Sequence, residues 1–200
     1  MPALWEEKRA DQPRACGGVE RLVRKIAGTR ESKMIQGMTR NARLSADRRY
    51  RYTLLRRWGE RAPGITWIML NPSKADAEVD DPTIRRCMVF SQRFGYDAMV
   101  VVNLFAYRAT DPRELLEVGG EAAVGPENGE WCQKACRQAS VIVVAWGALR
   151  EPLRGFAAVT TKLIQKDGYR LKCLGMTKDG QPRHPLYIRA DAPLVDWTAA

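Results

Sequence analysis

Four short stretches, far apart in the chain, carry residues able to do chemistry, and each follows a run that reads as a strand. Asn71-Pro72-Ser73 follows the run from Ile65 to Leu70, and Asn103 closes the run that starts at Ala98. Trp146-Gly147 follows Ser140 to Ala145, and His184 lies in the loop beyond Tyr169 to Leu174. An asparagine side chain offers a donor and an acceptor, which suits the edge of a nucleobase or an amide. His184 is the only histidine. Its imidazole could donate to a developing anion or act as acid or base near neutral pH. Phe105, Tyr107 and Trp146 offer faces on which a planar ring could stack.

Other templates fit poorly. The chain holds no Gly-x-x-x-x-Gly-Lys phosphate loop and no Gly-x-Gly-x-x-Gly, and Ser73 is not in a Gly-x-Ser-x-Gly elbow. Asp76, Glu78, Asp80 and Asp81 form an acidic cluster that could hold Mg²⁺ beside a phosphorylated substrate. Helix capping by Asp81, with the rest solvated, is the plainer reading. The expectation is therefore no metal and no cofactor.

The elements that must position these residues alternate. An apolar run bounded by turn residues reads as a strand buried on both faces. On that basis strands are expected near 65–70, 98–103 and 140–145, with a further one over 169–174; the partly alternating, aromatic and β-branched stretch 49–55 also reads as a strand. Asp81-Pro82 signals a helix start, with Ile84, Cys87, Met88, Ser91 and Phe94 on one face and Gly95 at its end. Asp111-Pro112 starts a short helix to about Val118. Further helices are expected over 126–139 and 152–166. Strand and helix at this rhythm imply a parallel sheet with right-handed crossovers. The carboxyl ends of the strands then share one rim, where α/β proteins bind ligands. Asn71, Asn103, Trp146-Gly147 and His184 fall together there, and residues 71–81 would form one wall.

The net charge is +10 and is uneven. Residues 1–61 hold 16 Lys and Arg against 7 Asp and Glu, whereas residues 62–200 hold 17 against 16. The basic third is a possible footprint for a polyanion, or a solubilising tail. Residues 1–37 show no sustained period and read as a poorly ordered basic extension, followed by a single domain over 38–200. Met34 and Met38 leave the natural start open. No apolar run reaches the roughly 18 residues of a membrane span, and no signal-peptide layout is present, so a soluble cytoplasmic protein is expected. Cys16, Cys87, Cys132, Cys136 and Cys173 are odd in number and read as buried free thiols.

Taken together, several motifs carry a resemblance. They are Leu70-Asn71-Pro72-Ser73, Asp80-Asp81-Pro82-Thr83-Ile84-Arg85-Arg86, Asn103-Leu104-Phe105-Ala106, Arg108-Ala109-Thr110-Asp111-Pro112, Ala145-Trp146-Gly147 and Arg183-His184-Pro185-Leu186-Tyr187. They look like a bacterial and phage family known only as domain of unknown function 1643, over about residues 48–197. A more distant likeness is to the uracil-DNA glycosylase superfamily. It implies a three-layer α/β/α fold with a four-stranded parallel sheet in order 2-1-3-4. The strand at 50–55 would then be an extra N-terminal edge strand. It also implies that Asn71, before Pro72, positions the attacking water, that Asn103 reads the base, and that His184 stabilises the departing base. Met69 stands where that superfamily usually has a glycine, and Leu186-Tyr187 where it has Ser-Pro.

The expected catalytic pair is Asn71 and His184. The expected substrate-binding set is Pro72, Ser73, Asn103, Phe105, Tyr107, Arg108, Trp146, Gly147 and Arg183. The leading functional expectation is hydrolysis of an N-glycosidic bond in DNA or a nucleoside, with no membrane and no obligate protein partner. The alternatives are a non-catalytic module that binds nucleic acid or a modified base, and a metal-dependent nucleotide enzyme using the loop from Asp76 to Asp81.

Overall fold

The computed structural model describes residues 33–35, 37–61 and 64–198. The chain is α/β, built on one mixed sheet of eight strands. In chain order the strands are β1 (Lys33–Ile35), β2 (Met38–Leu44), β3 (Arg51–Arg57), β4 (Ile65–Met69), β5 (Ala98–Asn103), β6 (Val141–Val144), β7 (Leu171–Cys173) and β8 (Val195–Trp197). The helices are α1 (Pro82–Arg93), α2 (Arg113–Val118), α3 (Gly120–Val124), α4 (Asn128–Arg137) and α5 (Leu153–Lys166). The spatial order is β1-β2-β3-β5-β4-β6-β7-β8. β5, β4, β6 and β7 are mutually parallel. β1, β2 and β3 extend one side as antiparallel strands, and β8 closes the other.

Sequence explains the centre of this sheet. All five residues of β4 are buried, which suits a strand covered on both faces. Ile65, Trp67 and Met69 enter a core with Ile84, Cys87 and Phe90 of α1. Ile68 points the other way, into a core with Ala135 and Cys136 of α4 and Ala157 of α5. Trp67 donates its indole N–H to Ser91 Oγ at 2.9 Å, and Thr66 Oγ1 donates to the Ala135 carbonyl at 3.2 Å. Both buried polar groups thus find partners, as burial requires. Asp81 caps α1 by accepting from the Ile84 N–H at 2.8 Å, with Pro82 at the first helical position.

One expectation needs correction. The strand near 50–55 is not at an edge. β3 lies between β2 and β5, antiparallel to both, and six of its seven residues are buried. The physical reason is that β5 still offers a row of unpaired backbone groups on its outer side, and β3 satisfies them. Neither β2, over Met38–Leu44, nor β8, over Val195–Trp197, is among the expected strands. The sheet therefore has eight strands rather than five. Finally, the poorly ordered extension expected over 1–37 falls mostly outside the described residues. Its last stretch, Lys33–Ile35, pairs with β2.

Among the described residues no helix is long and apolar enough to cross a membrane. Cys87, Cys136 and Cys173 are buried free thiols, and Cys132 is a half-buried one. Burial pushes Cys132 and Cys136 up to about 12, which leaves them as thiols at neutral pH.

Candidate functional site

The carboxyl ends of the parallel strands open onto a pocket of about 350 Å³. Asn71, Ser73, Asn103, Trp146 and His184 all line it, as do Arg51, Asp81 and Leu186. The size suits a small ligand such as a nucleobase or nucleoside.

Backbone pairing brings the first two loops together. Beyond β4 and β5 the chains stay zipped, with Leu104 N–H donating to the Met69 carbonyl and Phe105 N–H to the Leu70 carbonyl, each at 2.9 Å. Ala109 N–H donates to the Pro72 carbonyl at 2.9 Å. Asn71 returns the link, its Nδ2 donating to the Ala109 carbonyl at 2.8 Å and to the Pro72 carbonyl at 3.1 Å. Nδ2 is thereby spent on two carbonyls, which fixes the amide orientation. Asn71 Oδ1 has no protein partner among the described residues and is left as an acceptor at the pocket wall.

A second set of contacts brings the other two loops together. Gln181 is buried and grips Leu149 from both sides, accepting from its N–H at 2.8 Å and donating to its carbonyl at 2.9 Å. Gly147 N–H donates to the Pro182 carbonyl at 3.0 Å. Trp146 packs edge-on against Trp197 of β8, with ring centroids 5.4 Å apart. Gly147 has φ +90°, and a Cβ there would stand 3.3 Å from His184 Cβ. Gly147→Ala is therefore expected to cost about 1–2 kcal/mol in backbone strain and to push His184 out of position. Thermal unfolding and an NMR comparison of the His184 environment check both parts. An unshifted His184 resonance would contradict the close approach.

His184 caps a short 3₁₀ turn over Pro185–Tyr187, and its Nδ1 accepts a long 3.4 Å hydrogen bond from Leu186 N–H. In a neutral imidazole with Nδ1 accepting, the proton sits on Nε2, which becomes a donor. Burial lowers the His184 pKa from its usual 6.5, opposed by the negative charge of Asp81. Neutral His184 is thus the form at pH 7. The unfolded chain takes up a proton near pH 6.5 while the folded one resists it, so this group's contribution is complete above about pH 6.5. It is lost as the pH falls toward the lower folded value. Titration of the His184 ring by NMR should give a midpoint below 6.5, and a midpoint at or above 6.5 would contradict burial as the governing influence.

The remaining expected residues fall elsewhere. Phe105 turns into the core away from the pocket and stacks on Phe156 with centroids 4.5 Å apart. Tyr107 packs edge-on against Tyr50 and pairs with it as an isolated bridge. Arg108 braces the rim through long 3.4 Å contacts from Nε to the Ser73 carbonyl and from a terminal nitrogen to the Arg48 carbonyl. Pro72 serves through its carbonyl, as above. Gly147 lies beneath His184. Arg183 is exposed and donates to the Met176 carbonyl at 3.0 Å. Of the three aromatic candidates for stacking, Trp146 alone lines the pocket.

The acidic loop is already engaged. Asp80 pairs with Arg56 at 2.7 Å and with Arg40, Asp76 Oδ1 accepts the Glu78 and Val79 N–H groups at 2.9 and 3.0 Å, and Asp81 caps α1. These carboxylates hold the loop's shape. Among the described residues no group of three or more histidines, cysteines and acids is placed to hold a metal ion.

Sequence reasoning missed Arg51. It reads as one position of an alternating Arg-Tyr-Arg-Tyr strand, yet it is 2% exposed and lines the pocket. It donates to the Ala75 carbonyl at 2.8 Å and to Asn103 Oδ1 at 3.2 Å. Because a guanidinium only donates, Asn103 must turn Oδ1 toward Arg51 and Nδ2 away from it.

Fold and site thus define an α/β protein with a polar pocket at the carboxyl edge of a parallel sheet. Residues 51–186 match the family described as "Protein of unknown function (DUF1643)", and the chain belongs to that family. Neither the curated proteins nor the solved structures contain a match to it.

Proposed function

We propose that the protein hydrolyses an N-glycosidic bond, releasing a base from DNA or from a nucleoside. The observation that carries this reading is the pairing of two free atoms in one pocket. Asn71 Oδ1 is an acceptor with its amide locked by Ala109, and His184 Nε2 is a donor on a neutral ring. Water held by Asn71 Oδ1 attacks C1′ of the sugar. The C1′–N bond breaks, and its electron pair leaves with the base. His184 Nε2–H hydrogen-bonds the base as negative charge grows on it, and the attacking water gives up its proton to solvent. A neutral donor suffices because it stabilises developing charge without having to be protonated first.

The strand order β5-β4-β6-β7, with helices on both sheet faces, supports the distant likeness to uracil-DNA glycosylases. If the substrate is DNA, the base must leave the helix stack to enter the pocket. The test is a panel of oligonucleotides and nucleosides carrying uracil and other modified bases, scored for free base. Release of at least one base above the uncatalysed rate is expected. A protein that binds members of the panel and releases none would instead be a base-binding module.

A further inference from the structure

Arg51 presents a problem that protein contacts leave open. Its side chain is buried, burial lowers its pKa to about 10, and it therefore stays charged at pH 7. It makes no ion pair among the described residues. Its two hydrogen bonds go to a carbonyl and an amide oxygen, and its Nε has no partner. Asp81 and, more weakly, Asp76 act on it favourably through space, while Arg108 and Arg56 act against it. Asn103 beside it is 1% exposed, and its Nδ2 is also an unpartnered donor. Buried donors are almost always satisfied, and a buried charge without a counter-ion is costly. Here two such groups, linked to each other, line the same pocket.

We propose that Arg51 and Asn103 form a buried receptor for a negatively charged oxygen of the ligand. Two chemistries supply such an oxygen, a base in its anionic form and a phosphate. The inference stands without the glycosidic reading, and it deepens that reading where the oxygen belongs to a departing base. In that case Arg51 and Asn103 would share the developing charge with His184.

Binding is measured by calorimetry and thermal shift on the full chain, with uracil, cytosine, inorganic phosphate and deoxyuridine 5′-monophosphate as probes. Two variants are used. Arg51→Met removes the charge and should weaken anion binding about tenfold or more. Asn103→Asp changes few atoms and sets a carboxylate against Arg51. It should raise the melting temperature of the free protein, because it supplies the missing counter-ion, and abolish anion binding. Uracil binding that tightens as the pH approaches its ionisation, with cytosine inert, identifies the base anion and agrees with the glycosidic reading. Phosphate binding with uracil inert supports the receptor but counts against that reading. The proposal is overturned if no probe binds the wild type more tightly than the variants, or if Asn103→Asp lowers the melting temperature.

Discussion

Replacing His184 by alanine should lower kcat for base release by about two to three orders of magnitude, with KM changed far less. The magnitude is that of removing one preorganised donor from a developing anion. The split between kcat and KM follows because the Nε2–H bond strengthens only as the base acquires charge. Asn71→Ala should lose about a hundredfold through misplacement of the water. It also frees the Ala109 carbonyl, so its melting temperature must be measured alongside. A double variant much less impaired than the product of the two single effects would indicate that both residues act on one step. Base release unchanged in His184→Ala would remove the mechanism, whatever the pocket binds.

The second large effect concerns the wall of the pocket rather than its chemistry. Asp80→Ala should destabilise the fold by about 3–5 kcal/mol, the range for breaking a buried ion pair from one side. Arg56 is fully buried, and its guanidinium contacts Asp80 at 2.7 Å and the carbonyls of Asp76, Leu55 and Asn41. Removing Asp80 strands that charge and also frees Arg40. For a chain of 200 residues the fall in melting temperature would be on the order of 10 °C. Replacing Arg56 and Asp80 together by apolar residues should recover part of the loss, since no uncompensated charge remains. Equilibrium denaturation of the two single variants and the double variant closes the cycle. An Asp80→Ala protein as stable as the wild type would mean that the loop from Asp76 to Asp81 is not anchored through Arg56.

The contrast between Asn71 and Arg51 marks what sequence could and could not reveal. Asn71, Asn103 and Trp146 were legible because each closes an apolar run, and parallel strands must bring their ends to one rim. His184 was legible as the only histidine in a strand-end loop. Arg51 was not, because nothing in the partly alternating run from Arg49 to Leu55 marks one arginine as buried. Burial on both faces comes from α4 and the loop at Ala75, which lie well beyond β3 in the sequence. Phe105 misled for a related reason. Its position after β5 suggested the rim, but its side chain turns to the opposite face and meets Phe156. In the acidic cluster Asp81 caps α1 as its place before Pro82 suggested, but Asp80 is not solvated: it pairs with Arg40 and Arg56, which no local pattern puts beside it. β2 and β8 were missed because their strand character depends on the neighbours they pair with, β3 and β7, more than on local pattern.

Where the attacking oxygen goes decides the central claim most directly. The protein is incubated in water labelled with heavy oxygen, together with the nucleoside or oligonucleotide it turns over. Products are then read by mass spectrometry. Attack at C1′ by water held on Asn71 puts the label in the sugar hydroxyl and leaves the freed base unlabelled. Label in the base, or a base altered while still attached to its sugar, would contradict glycosidic hydrolysis and assign the pocket to a different reaction.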